Sequence, residues 1–184
     1  MESTAEIQAR TGGLPLRRII FTADRIAERV AEMGREITSA YPIGEELLVI
    51  GLLKGSFIFL ADLVRLIERP LHVDFLVAAS YGPGTVSSGT VHLVYDPEAE
   101  IADRHVLLVE DIIDSGNTLN RLVPILRSRG PRSLELCALL HKRIAPPLVL
   151  EPRWVGFDVP SEFLVGYGLD HSENFRSLPF IASI

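Results

Sequence analysis

Apolar positions recur along this chain with two different periods. Ile26, Val30, Met33, Ile37 and Tyr41 are spaced by three or four, the repeat of one helix face, and Thr22 ahead of them has a side chain suited to capping. The spacing predicts an amphipathic helix that stops at Tyr41-Pro42, because the residue before a proline is pushed out of the helical region. Residues 47–52 (LLVIGL) form an unbroken apolar run instead, as expected of a parallel strand covered on both faces. Residues 73–80 (VDFLVAAS), 106–109 (VLLV) and 133–140 (SLELCALL) read the same way. Helical patterns follow at 57–67 and 118–129; in the second, Leu119, Leu122, Val123 and Leu126 share a face, and Pro124 is expected to kink or shorten the helix. Short strands are predicted at 16–21, 91–95, 154–159 and 163–167. Residues 1–13 are expected to be mobile and residues 168–184 an irregular tail. Strands alternating with helices predict an α/β fold: one domain over residues 1–184, with a mainly parallel core sheet flanked by helices.

The densest chemistry follows the strand at 106–109. Glu110 and Asp111 end it, two isoleucines intervene, and then come Asp114, Ser115, Gly116, Asn117 and Thr118 at the start of a helical pattern. A strand-to-helix loop of small hydroxyl, amide and glycine residues presents backbone N–H groups at a helix N-terminus, which favours a phosphate. Two readings are open. Asp114 or Ser115 can simply cap the helix, with Glu110 and Asp111 a solvated strand end. Alternatively, the three crowded carboxylates face sugar hydroxyls and a hydrated divalent cation.

Other turns repeat this arrangement. After residues 47–52 come Leu53, Lys54, Gly55 and Ser56 and then a helix; in open α/β sheets ligands bind at such strand ends. Lys54 and Gly55 can close on a pyrophosphate, or Lys54 can be a surface turn residue. Residues 81–90 (YGPGTVSSGT) are either a hairpin loop or a mobile lid. Lys142, at the end of residues 133–140, donates hydrogen bonds and cannot accept them, so it would favour a ligand's oxo group over an amino group; it can equally be a strand-end charge. Phe163 offers a flat face, although a lone aromatic is more often core. Arg176 alone reads as an exposed charge.

VEDIIDSGNTL (109–119) resembles the PRPP-binding signature of the type I phosphoribosyltransferases, in their hypoxanthine/guanine branch; PRPP is 5-phosphoribosyl-1-pyrophosphate. LKGS resembles the family's pyrophosphate loop, whose peptide before the lysine is commonly cis. PSEFLVGYGLD (160–170) and NFRSLP (174–179) resemble its C-terminal motifs. The resemblance spans roughly residues 47–179 and implies the type I phosphoribosyltransferase fold, with a small hood from about 1–20 and 150–184. It implies purine salvage: transfer of the phosphoribosyl group to N9 of hypoxanthine and guanine, with Mg2+ as cofactor. It also implies the roles. Glu110 and Asp111 hold ribose hydroxyls and the metal, Asp114 to Thr118 cradle the 5′-phosphate, and Asp114 is general base at N7. Lys54, Gly55 and Arg176 take pyrophosphate. Lys142, Phe163, Leu164 and Asp170 serve the base side, with Asp170 also a metal ligand, and Ser80 and Tyr81 begin a flexible loop that closes over the site. The family's members are generally homodimers or homotetramers. The chain departs from the pattern at Leu164, where valine is frequent, and at Ala79 and Tyr95, where some relatives have lysine.

Composition narrows the alternatives. A net charge of −6, from 18 Lys+Arg against 24 Asp+Glu, argues against nucleic acid as partner and so against an RNA-binding regulator on this fold. A transferase acting on xanthine or another base stays open. One cysteine, Cys137, excludes an internal disulfide and suits a reducing cytoplasm. The five histidines have no zinc-ligand spacing. No apolar run approaches a membrane span, and the first residues carry no apolar signal region, so a cytoplasmic protein without membrane partners is expected.

Overall fold

A computed structural model describes residues 4–79, 92–143 and 147–184, with the backbone alone at 4–6, 79, 92 and 93. Helix α1 (Thr4–Thr11) precedes strand β1 (Arg18–Phe21) and helix α2 (Ala23–Ala40); α1 is an element the sequence reading of residues 1–13 does not include. Thr22 caps α2 as predicted, its Oγ accepting from Arg25 N at 3.3 Å. Strand β2 (Leu47–Leu53), helix α3 (Phe57–Val64), strands β3 (Leu71–Ala79), β4 (His92–Tyr95) and β5 (His105–Ile113), helix α4 (Asn117–Ser128), and strands β6 (Ser133–Lys142) and β7 (Trp154–Val159) follow. Pro124 lies inside α4 without ending it; the helix is held by the buried Leu119, Leu122, Val123 and Leu126. Two short strands, β8 (Leu164–Val165) and β9 (Ile181–Ser183), complete the chain.

The main sheet has the order β4-β3-β2-β5-β6-β7. All neighbours in it are parallel except β3 and the edge strand β4. Alternation along its strands divides the core. Leu47, Val49, Leu107, Val109, Cys137 and Leu139 pack under α2 and α3, whereas Leu48, Ile50, Val106, Leu108, Leu136 and Ala138 meet α4. A fully buried strand needs apolar residues on both faces, which explains the unbroken runs.

A second sheet, β1-β9-β8, is antiparallel. It joins both ends of the chain, so residues 168–184 are not an irregular tail: 181–183 is its central strand. Trp154–Val159 pairs with β6 in the main sheet and is not part of this smaller one. The direction of winding reverses between β2 and β5: from β2 the chain steps to β3 on one side and returns to β5 on the other. That switch point opens a crevice at the C-terminal strand ends, and the small sheet's connecting loops lie over it.

Leu107 is fully buried in the middle of β5, whereas Ile43 is 92% exposed. Leu107→Ala should lower the unfolding free energy by about 2–5 kcal/mol, and Ile43→Ala should change it by no more than about 0.5 kcal/mol. Urea unfolding of the two variants tests this division between core and surface.

Candidate active site

Four strand ends and one C-terminal loop line a cleft of about 610 Å³. β2 contributes Leu53, Lys54 and Gly55, β3 contributes Val77 and Ala78, and β5 contributes Asp111, Ile112 and Asp114. Lys142 enters from β6, and Phe163, Leu164, Leu169, Asp170, Glu173 and Arg176 close the remaining side. A smaller pocket of about 80 Å³ adjoins it through Ile112 and Asp114 and is lined by Glu110, Ser115, Gly116, Asn117 and Thr118. The two adjoining pockets therefore bring together every candidate site residue named from the sequence except Ser80 and Tyr81, which lie outside the described residues.

The small pocket is the N-terminal mouth of α4. Gly116 holds the cap position at φ 71 with no side-chain cap hydrogen bond; only glycine adopts that left-handed turn without strain. Ser115 Oγ accepts from Asn117 N at a long 3.4 Å. Asp114 does not cap. Its Oδ2 instead takes a hydrogen bond from Lys142 Nζ at 3.0 Å, across sheet neighbours, so the capping account of Asp114 fails. The Lys142 side chain is 9% exposed and that of Asp114 61%. The pair thus presents a desolvated donor beside an accessible acceptor at one wall of the cleft.

Close approach shapes the opposite wall. A Cβ built on Gly55 would fall on the Asp111 carboxylate, and one on Gly168 (φ +101) would fall on the Gly55 carbonyl. The Leu53–Lys54 peptide is cis, as the resemblance implied. Tyr167 O–H donates to Asp62 Oδ2 of α3 at 2.6 Å, tying the C-terminal loop to the helix that follows Gly55. Phe163 is 52% exposed, edge-on to His171 with ring centroids 5.3 Å apart. It is therefore a cleft wall rather than core.

Burial dominates the acids. Glu110 Oε2 is buried without a partner among the described residues, and burial, then the Asp111 charge, pushes its carboxyl well above the usual range. Burial pushes Asp111 up to about 6, partly offset by hydrogen bonds from the Ile112 and Asp111 backbone; nearby Arg176 and Asp170 act in opposite senses. Arg176 donates to Gly168 O at 2.8 Å and pairs with Asp170 at 2.7 Å, leaving its buried Nε unpartnered. A desolvated acid beside an unsatisfied guanidinium N–H is an arrangement awaiting a charged ligand. Among the described residues no group of three or more His, Cys, Asp or Glu side chains is placed to hold a metal by itself. Asp111 and Asp170 border the main cleft while Glu110 borders the smaller pocket.

Several lining residues carried no signal recognised in the sequence. Val77 and Ala78 end a parallel strand beside β2, so the strand-end rule applied to β3 would have found them. Ile112, Leu169 and Glu173 belong to no periodic pattern and are placed only by the folded chain.

Comparison with known proteins agrees with this geometry. The family model of the phosphoribosyl transferase domain matches residues 19–172. The hypoxanthine-guanine phosphoribosyltransferase of Dictyostelium discoideum is 42% identical over 171 residues, covering 91% of this chain and 95% of that protein. The hypoxanthine phosphoribosyltransferase of Salmonella typhimurium is 44% identical over 160 residues, covering 86% of this chain and 90% of that one. The crystal structure of a hypoxanthine phosphoribosyltransferase from Staphylococcus aureus superposes with a TM-score of 0.88 at 36% identity, covering 100% of this chain and 96% of that chain.

The raised Asp111 acid makes a stability prediction. The folded state holds its proton more tightly than the unfolded chain, so the penalty of ionising it is absent below about pH 4 and complete above about pH 6. A rise from 3.8 to about 6 opposes folding by about 3 kcal/mol once the group is charged. Asp111→Asn should therefore raise the unfolding midpoint of the ligand-free protein at pH 7.5, and the gain should fade as the pH falls towards 4. An equal gain at both pH values, or none at pH 7.5, would contradict the assignment.

Proposed function

The chain belongs to the phosphoribosyltransferase family, and from that premise we propose that it is a single-domain enzyme transferring the 5-phosphoribosyl group of PRPP to N9 of hypoxanthine and guanine. The products are IMP or GMP and pyrophosphate, and the role is purine salvage. The observation that carries this reading is the Lys142 Nζ to Asp114 Oδ2 hydrogen bond of 3.0 Å. It joins the base-side lysine to the acid of the phosphate motif and sets a donor and an acceptor side by side where a 6-oxopurine offers O6 and N7–H.

In this reading the 5′-phosphate enters the smaller pocket, against the backbone N–H groups at residues 115–118 and the start of α4. Glu110 and Asp111 receive the ribose hydroxyls; the unpartnered Glu110 oxygen has an unused acceptor for one. Lys54, the Gly55 backbone and Arg176 receive pyrophosphate, whose departure leaves positive charge on the sugar. Cationic donors held at the leaving anion would stabilise the charge that develops on it. Phe163 stacks on the purine and Leu164 bounds its edge, Lys142 donates to O6, and Asp114 takes the N7 proton as N9 attacks C1 of the ribose. Ser80 and Tyr81 begin the loop that covers the cleft and keeps water from the reacting sugar.

The donor set fits magnesium. Asp111 and Asp170 offer hard carboxylate oxygens at the pyrophosphate end, with Glu110 nearby on the ribose side, and two carboxylates plus substrate oxygens are the usual company of that ion. When bound, it would neutralise charge on the departing pyrophosphate. We place the protein in the cytoplasm as a homodimer or homotetramer, with no nucleic-acid or membrane partner; no helix among the described residues is long and apolar enough to cross a membrane.

Pyrophosphate release from PRPP and Mg2+ should be fast with hypoxanthine or guanine and absent with adenine. Equal turnover of adenine would remove Lys142 as the 6-oxo reader, and no turnover with hypoxanthine, guanine, xanthine or adenine would remove the activity. Asp114→Asn should lower kcat with hypoxanthine by roughly 10²–10⁴-fold; a rate near that of the wild type would exclude Asp114 as the base.

A further inference from the structure

Glu173 is a cleft residue with no part in the scheme above. Two cations converge on it. Lys54 Nζ lies 3.1 Å from its Oε1, and Arg176 Nη2 lies 3.4 Å from its Oε2. These are the same two side chains that the proposed reaction assigns to pyrophosphate. The carboxylate is carried there by an unusual turn. Ser172, Glu173 and Phe175 all have positive φ, at 52°, 64° and 75°, a region that side-chain-bearing residues enter only when their surroundings hold them. Holding groups are present: Glu173 N donates to Asp170 Oδ2 at 2.8 Å, and His171 and Asn174 bridge across the turn. Asn174 closes it further, its side-chain amide donating to Ser172 O at 3.1 Å. The hydrogen bond from Lys54 and then the Lys54 charge, against a smaller effect of burial and with a further contribution from Arg176, hold the Glu173 carboxyl below its usual range.

We infer that Glu173 is a built-in competitor for pyrophosphate: its carboxylate occupies Lys54 and Arg176 in the free protein, must be displaced when PRPP binds, and returns as pyrophosphate leaves. This rests on the phosphoribosyltransferase reading and deepens it. An anion tethered to the binding loop acts at a high effective concentration, so it competes without any dissolved inhibitor. The contacts are surface pairs, with the Lys54 and Glu173 side chains 66% and 67% exposed. Pairs of that kind are weak individually, which suits a competitor that must give way to a multiply charged substrate. Lys54 has Glu173 as its one ion-pair partner among the described residues, whereas Arg176 keeps Asp170. Removing the Glu173 charge should therefore act mainly through Lys54.

Titration of inorganic pyrophosphate with Mg2+ into the wild type and Glu173→Gln, alongside steady-state kinetics in PRPP, tests this. In Glu173→Gln, the Kd of pyrophosphate and the KM of PRPP should fall about threefold to tenfold, with the KM of hypoxanthine unchanged. In a Lys54→Met background the same substitution should lose most of that effect. Unchanged or weaker pyrophosphate binding by Glu173→Gln, in a protein whose wild type turns over PRPP, would overturn the inference alone. A wild type with no turnover would instead remove the activity, and the inference with it.

Discussion

Everything in the cleft depends on the close approach of three segments at Gly55: its own turn, the Gly168 backbone and the Asp111 carboxylate. Parallel strands β2 and β5 are neighbours in the sheet, so the turn after one and the acids ending the other share the same space. Gly55 leaves no room for a Cβ beside the Asp111 carboxylate, and Gly168 presses on the Gly55 carbonyl in the same way. A side chain at Gly168 would meet backbone and part the two loops, whereas one at Gly55 would push the Asp111 carboxylate aside. The turn after β2, the acidic end of β5 and the C-terminal loop are therefore one packed unit, and the Tyr167 hydrogen bond to Asp62 extends it into α3. Packing of this density transmits small displacements rather than absorbing them.

Charge in that unit is divided between a buried floor and an exposed rim. Two acids next to each other in sequence, Glu110 and Asp111, are both raised by burial, which opposes folding at neutral pH and is tolerated where ligands later supply cations and hydroxyls. Cations are available as well, but each is engaged: Lys142 by Asp114, Lys54 by Glu173, and Arg176 by Asp170 and Glu173. The free cleft is thus internally neutralised along its rim and strained in its floor. In the proposed reaction, PRPP would exchange these weak, solvent-exposed pairs for contacts with a polyanion.

The core of this architecture was legible in the residues because it depends on local period. The three-and-four spacing from Ile26 to Tyr41 and the unbroken run at 47–52 report burial directly, and the glycine, hydroxyl and amide run at 115–118 marks a strand-to-helix turn. Other features depend on pairing between distant segments. Strands β8 and β9 span two and three residues, too few for any period, and they exist because β1 and the end of the chain complete a sheet between them. The sequence predicts a strand over 163–167, and the structure extends only Leu164–Val165. Trp154–Val159 read correctly as a strand, yet its membership of the main sheet follows from the register with β6. Glu173 was invisible for the same reason: its meaning lies in Lys54, 119 positions away. The Asp114 and Lys142 motifs were each found, while their direct contact was not.

The most direct test of the packed-unit account is the activity of Gly55→Ala. A methyl group there meets the Asp111 carboxylate before anything else, so it displaces a cleft-lining acid while the apolar core is untouched. The account predicts a single cooperative unfolding transition together with a loss of roughly 10²-fold in pyrophosphate release from PRPP, the scale expected when a reacting group is misplaced by about an ångström. Turnover at the wild-type rate in a folded Gly55→Ala protein would show that the close approach is not what holds the site together.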